Sequence, residues 1–155
     1  MLSPGTRAPD FTLRDHAGHE QSLRGLLAHG PLILYFYPAD FTPGCTAEAC
    51  LLRDLHTDIQ HAGLHVVGIS PQDAESHRRF RDKYSLPFTL LSDPDKAVTK
   101  LYGLNGPLGI GVRRGTYILD QAGVIQDAVL ADFRIGRHEE FVRNAVAARR
   151  NGKSG

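Results

Sequence analysis

The sequence predicts an α/β fold in which a mixed central sheet is flanked by helices and preceded by an N-terminal β-hairpin. Three observations carry this. Short apolar runs alternate with amphipathic helical stretches through the middle of the chain, as parallel strands with crossover helices require. One early and one late hairpin pattern add antiparallel strands. The 155 residues, 41% hydrophobic and 23% charged, suffice for one real core. A single domain over residues 1–150 is expected, with a flexible polar tail over 151–155.

The elements follow in order. Phe11-Thr12-Leu13-Arg14 and Glu20-Gln21-Ser22-Leu23 flank the turn Asp15-His16-Ala17-Gly18, the first hairpin. The apolar run 32–37 reads as a buried strand. Thr42-Pro43 then starts a helix: Thr is a good N-cap, and Pro is preferred at the first helical position. That helix is expected to run to about His61 and stop at Ala62-Gly63. Residues 64–69 form the next strand. Ser70-Pro71-Gln72-Asp73 combines an N-cap, a first-position proline and an acid, predicting a helix to about Tyr84 with Phe80 and Tyr84 on one face. Residues 88–91 are a short strand. Ser92-Asp93-Pro94 opens a short helix that Gly103 closes, and residues 103–113 are a glycine-rich loop. Residues 116–119 and 124–129 pair across Asp120-Gln121-Ala122-Gly123. A last amphipathic helix starts near Gly136 and turns Phe141, Val142, Ala145 and Val146 inward. Parallel crossovers followed by an antiparallel hairpin give the arrangement of a thioredoxin-like fold.

Composition narrows the function. With a net charge of +1, nothing suggests a nucleic-acid or other polyanion partner. No stretch approaches the roughly 20 apolar residues of a membrane span. Residues 1–5 show no basic region followed by an apolar run, so a cytoplasmic location is expected. The eight histidines make no metal-binding pattern, two cysteines cannot fill a thiolate metal site, and the glycine-rich loop lacks a phosphate-binding signature. No cofactor or metal is expected. His56 and His61 read as solvated.

The chemistry concentrates at Cys45 and Cys50, the only cysteines in the chain. Cys45 falls at the third position of its helix, where free backbone N–H groups and the helix dipole favour an anion. The thiolate is the reactive form of cysteine. In a reducing compartment, such a pair is catalytic or redox-active more often than structural.

The stretch Pro38-x-x-x-Thr42-x-x-Cys45 resembles the active-site motif of the peroxiredoxins, thiol peroxidases without haem or metal. With Cys50 five residues on, it resembles the PrxQ subfamily, also called bacterioferritin comigratory protein. Ala8-Pro9-Asp10-Phe11-Thr12-Leu13 is similar to the family's opening strand, and Arg114-Gly115-Thr116-Tyr117-Ile118-Leu119-Asp120 to its late arginine strand, although Gly115 stands where the family usually has Ser or Thr. The resemblance covers nearly the whole chain. It implies that Cys45 is the peroxidatic nucleophile and that Thr42 orients the peroxide. Pro38 would shield the thiolate from water, and Arg114, rather than Arg113 or Arg134, would stabilise it. Glu48 would hold the arginine, and Cys50 would resolve the sulfenic acid as an intramolecular disulfide. Hydroperoxides are the implied substrates, thioredoxin or a glutaredoxin-like protein the reductant, and a monomer the expected state. A thiol–disulfide oxidoreductase or a redox sensor remains the alternative.

Overall fold

The computed structural model describes residues 1–130 and 135–150; Arg134 and the tail at 151–155 lie outside the described residues. A hairpin of β1 (Thr12–Asp15) and β2 (Glu20–Ser22) is followed by α1 (Leu23–Leu27), β3 (Leu32–Phe36), α2 (Pro43–Asp54), α3 (His56–His61) and β4 (His65–Ser70). Then come α4 (Ala74–Tyr84), β5 (Thr89–Ser92), α5 (Ala97–Leu101), β6 (Gly115–Leu119), β7 (Ile125–Leu130) and α6 (Ile135–Arg150). The strands form one seven-stranded sheet in the order β2-β1-β5-β4-β3-β6-β7. The β3, β4 and β5 pairings are parallel, and the remaining pairings are antiparallel. This is the mixed sheet with an N-terminal hairpin that the sequence predicts.

β3 lies inside the sheet, and its side chains alternate between two cores. Ile33, Tyr35 and the following Tyr37 pack with Cys45, Ala49, Leu52, Ile59, Phe80 and Val142 on one face. Leu32, Leu34 and Phe36 pack with Phe11, Leu27, Tyr102 and Tyr117 on the other. Burial on both faces is why this strand reads as an unbroken apolar run.

Three expected boundaries move. The helix expected from Pro43 to His61 is two helices that meet at Leu55, which stays in the right-handed helical region but at its edge (φ −88°, ψ −1°). Leu52, Leu55 and Ile59 are all buried across this junction. The helix expected from Ser70-Pro71 begins at Ala74, with Asp73 as its cap accepting from the Ser76 N–H at 2.8 Å. Ser70 is held extended by the sheet, paired with Ser92 and accepting from the Asp93 N–H. α5 likewise starts later than Ser92-Asp93-Pro94 predicts. The buried Asp93 carboxylate reaches forward to the N–H groups of Val98 and Thr99 and the Thr99 hydroxyl. α1 was not expected; Ser22 caps it by accepting from the Gly25 N–H at 3.0 Å.

Candidate active site

α2 begins just past the C-terminal end of β3. Pro43 occupies its first position, so Cys45 sits at the third, where N–H groups lack intrahelical acceptors. Cys45, Ala49 and Leu52 recur at helical spacing and form the stripe that α2 buries against the sheet. That stripe holds Cys45 at 1% exposure. Cys50 lies on a different side of the same helix, is half-buried, and carries a free thiol, as does Cys45.

Arg114 reaches this thiol from the neighbouring strand. The β3–β6 register places Gly115 opposite Phe36, so the residue before Gly115 falls beyond the end of β3, where α2 starts. Arg114 Nη2 donates to Cys45 Sγ at 3.2 Å, and Nη1 donates to Glu48 Oε1 at 2.7 Å. Gly44 makes room for this approach: a Cβ there would sit 3.2 Å from Arg114 Nη2. Gly115, the departure from the usual Ser or Thr, has its own cause. A Cβ there would lie 2.7 Å from the Leu104 side chain, and the strand pairs regularly without one.

Glu48, one turn after Cys45, is 1% exposed, which excludes a surface acid. Burial pushes its carboxyl up to about 7, against the pull of Arg114. The Arg114 guanidinium stays charged: burial opposes it, but Glu48 and Cys45 together hold it above its ordinary value. The second Glu48 oxygen lies 3.4 Å from Nδ1 of the buried His138, which is 2.9 Å from the Thr116 hydroxyl.

Thr42 occupies the N-cap position by its backbone, but its side chain caps nothing. Its hydroxyl instead donates to the Ala39 carbonyl at 3.1 Å. Thr42 and Pro38 are exposed, on either side of the buried Asp40. Arg113 is exposed, and its backbone N–H bonds the Leu104 carbonyl. Of the two histidines expected in solvent, His61 is exposed, whereas His56, the first residue of α3, is half-buried.

Sequence reasoning missed two sets of residues. One is His138. The other is a buried network of Tyr37, Asp40 and His77, with His77 Nδ1 2.7 Å from Asp40 Oδ2. A signal for His77 existed: His77, Phe80 and Tyr84 share helical spacing, and His77 and Phe80 are α4's buried residues. Between Asp40 and Thr42, Phe41 adopts the left-handed conformation (φ 65°), which costs a non-glycine residue about 1–2 kcal/mol. Its ring packs on Phe80 and Tyr84, with the Lys83 ammonium above it.

Among the described residues, no group of three or more His, Cys, Asp or Glu could hold a metal ion. A surface groove of about 600 Å³ lined by Arg7, Leu23, Arg24 and Leu27 lies away from Cys45.

The AhpC/TSA family profile matches residues 4–128. Peroxiredoxin Q of rice (Oryza sativa subsp. japonica), described as chloroplastic, is 46% identical over 88% of this chain and 63% of its own length. The Sedum lineare counterpart is 44% identical over 88% of this chain and 74% of its own. The chain therefore spans somewhat under two thirds of the rice protein. Among solved structures, peroxidoxin BcpB of Mycobacterium tuberculosis is 32% identical, with a TM-score of 0.88, covering 96% of this chain and 98% of that one. Peroxiredoxin Q of Xanthomonas campestris is 30% identical, with a TM-score of 0.81, covering 89% and 90%. The fold is thus thioredoxin-like, and the chain belongs to the AhpC/TSA family, within its peroxiredoxins of the Q, or bacterioferritin comigratory, type.

Proposed function

We propose that this chain is a thiol peroxidase that reduces hydrogen peroxide and organic hydroperoxides through a Cys45 sulfenic acid. The observation that carries the reading is the Arg114 guanidinium 3.2 Å from a buried Cys45 sulfur at a helix N-terminus. A fixed cation there stabilises the negative charge that spreads over sulfur and both peroxide oxygens as the O–O bond breaks. The thiolate attacks one peroxide oxygen; the other departs with a proton as water or alcohol. Thr42 is assigned the orienting role. Its hydrogen is committed to the Ala39 carbonyl, so its oxygen is left to accept from the peroxide. Glu48 holds Arg114 in place. Pro38 is assigned the cover over the thiolate. Of the relatives, the Xanthomonas campestris bacterioferritin comigratory protein is described with alkyl peroxide reduction activity, which supports the substrate class.

Cys50 is assigned the resolving step: its sulfur attacks the sulfenic sulfur, the sulfenic hydroxyl leaves with the Cys50 thiol proton as water, and a disulfide forms. Thioredoxin or a glutaredoxin-like dithiol then reduces it. Both cysteines lie within α2. Five residues along an intact helix separate Cα atoms by roughly 8.6 Å, with side chains ~140° apart around the axis. A disulfide needs less than about 7 Å, so the first turns of α2 must unwind for it to form. Hydrogen exchange over residues 42–55 should therefore rise in the oxidised protein, and equal protection in both redox states removes the mechanism. A monomer is assigned as the working state, which sedimentation would check. Recycling by a dithiol needs a reducing compartment; the cytoplasm is proposed, the plant relatives being described as chloroplastic.

The deciding experiment is peroxide-dependent oxidation of reduced thioredoxin by the purified protein. Multiple turnovers support the proposal. Disulfide formation without turnover would favour the redox sensor, and thioredoxin oxidation indifferent to peroxide the plain oxidoreductase.

A further inference from the structure

We propose that Asp40 and His77 are positioning residues for the peroxide step, clamping the turn 38–42 to α4 and β5 so that Thr42, at the start of the helix that carries Cys45, keeps its hydroxyl in one orientation. The proposal rests on the peroxidase reading above.

Asp40 is 5% exposed, His77 and Tyr37 fully buried. The Tyr37 hydroxyl donates to Asp40 Oδ1 at 2.5 Å, and the Ser76 hydroxyl to Oδ2 at 2.8 Å. His77 Nδ1 lies 2.7 Å from Oδ2, while Nε2 lies 3.0 Å from the Leu91 carbonyl. A carbonyl only accepts, so Nε2 carries a hydrogen. Nδ1 and the carboxylate then hold one further proton between them, and every strong group in the cluster has a partner. One carboxylate thus ties the loop after β3 to two consecutive residues of α4 and, through His77, to β5.

Such a cluster is a poor way to gain stability, since burying an acid and an imidazole costs solvation that well-packed apolar residues would not. It is a good way to fix one geometry. The segment it fixes needs fixing: Phe41 next door stands at φ 65°, a conformation that persists only where its surroundings enforce it. Thr42, which follows, takes its orientation from this turn through its bond to the Ala39 carbonyl. Among the described residues, the clamp shares no hydrogen bond with Arg114 or Glu48, so it would hold that hydroxyl independently of them.

The test compares two reactions of Cys45 on a Cys50→Ser background: oxidation by hydrogen peroxide and alkylation by iodoacetamide. Both need the thiolate, but only the first needs Thr42. Asp40→Ala should slow oxidation by roughly ten- to hundredfold while changing alkylation little, the size of loss that an ångström-scale misplacement produces. Asp40→Asn, whose amide can bond the same partners, should recover most of it. A merely structural role would move both reactions together and show no recovery. An unchanged ratio of the two rates in Asp40→Ala, or equal losses in the Ala and Asn variants, overturns the proposal. If Asp40→Ala does not fold, Ser76→Ala decides: a smaller loss of the same kind supports the clamp, and an unchanged ratio overturns it. Parent-protein oxidation no faster than that of free cysteine defeats the peroxidase reading itself, and the clamp with it.

Discussion

The two faces of the sheet bury polar groups in different ways. On the face that carries Phe36 and Tyr117, buried polar groups mostly bond the backbone. The Tyr117 hydroxyl donates to the Tyr102 carbonyl, the Tyr102 hydroxyl to the Pro9 carbonyl, and Asp93 caps the start of α5. On the face that carries Tyr35 and Cys45, buried side chains address one another: Arg114 bridges Cys45 and Glu48, and Asp40 gathers Tyr37, Ser76 and His77. Backbone-directed polar groups complete an architecture. Side-chain clusters in low dielectric set charge and orientation, at a cost in solvation. The difference separates what makes this chain fold from what makes it react, and mutations on the two faces should fail differently.

The largest expected effect is at the nucleophile. Cys45→Ser should abolish thioredoxin-coupled peroxide consumption, because an alcohol is a far weaker nucleophile toward the O–O bond. Near-normal turnover in that variant would end the account. Arg114→Ala comes next and should raise the barrier to the peroxide step by on the order of 2 kcal/mol or more. Arg113→Ala, exposed beside it, should do much less; stopped-flow oxidation of Cys45 measures both, and equal effects would dissolve the distinction drawn between them.

Glu48 gives a smaller and pH-dependent effect. Its carboxyl is raised from an ordinary 4.5 to about 7, so the folded state holds that proton more tightly than the unfolded state. Its contribution is complete below the ordinary value and is lost as pH climbs through about 7. Between these limits the parent protein should lose on the order of 1–3 kcal/mol relative to Glu48→Gln. Denaturant melts of both proteins across that range check the sign; parallel curves would mean that Arg114 keeps the carboxylate ionised throughout.

Tyr117→Phe, on the opposite face, should be the mildest. Losing the bond to the Tyr102 carbonyl should cost about 1 kcal/mol of stability and leave the peroxide rate constant unchanged. A comparable loss of rate would show that the faces are not separable.

What the sequence made legible follows the same division. Cys45, Thr42 and the strand before them were readable because their signals are local: an apolar run, an N-cap residue and proline, a thiol at the third helical position. The choice of Arg114 and the roles proposed for Thr42, Glu48 and Cys50 rest on family resemblance, since nothing local distinguishes Arg114 from Arg113. The Asp40–His77 contact joins residues far apart in sequence, and no periodicity encodes which buried acid meets which buried imidazole. His138 escaped for the same reason. Ser70-Pro71 failed differently. Its capping signal is real, but pairing with Ser92 in the sheet outweighs a cap, and Asp73 takes over three residues later.

The central claim is that the Cys45 thiolate beside Arg114 takes an oxygen atom from peroxide. The most direct measurement is mass spectrometry of Cys50→Ser after a single equivalent of hydrogen peroxide, with the product trapped by a sulfenic-acid reagent. The account predicts one oxygen atom added, on the peptide carrying Cys45, and further oxidation to sulfinic acid only with excess peroxide. An unmodified Cys45 thiol, or oxygen taken up elsewhere in the chain, would contradict it.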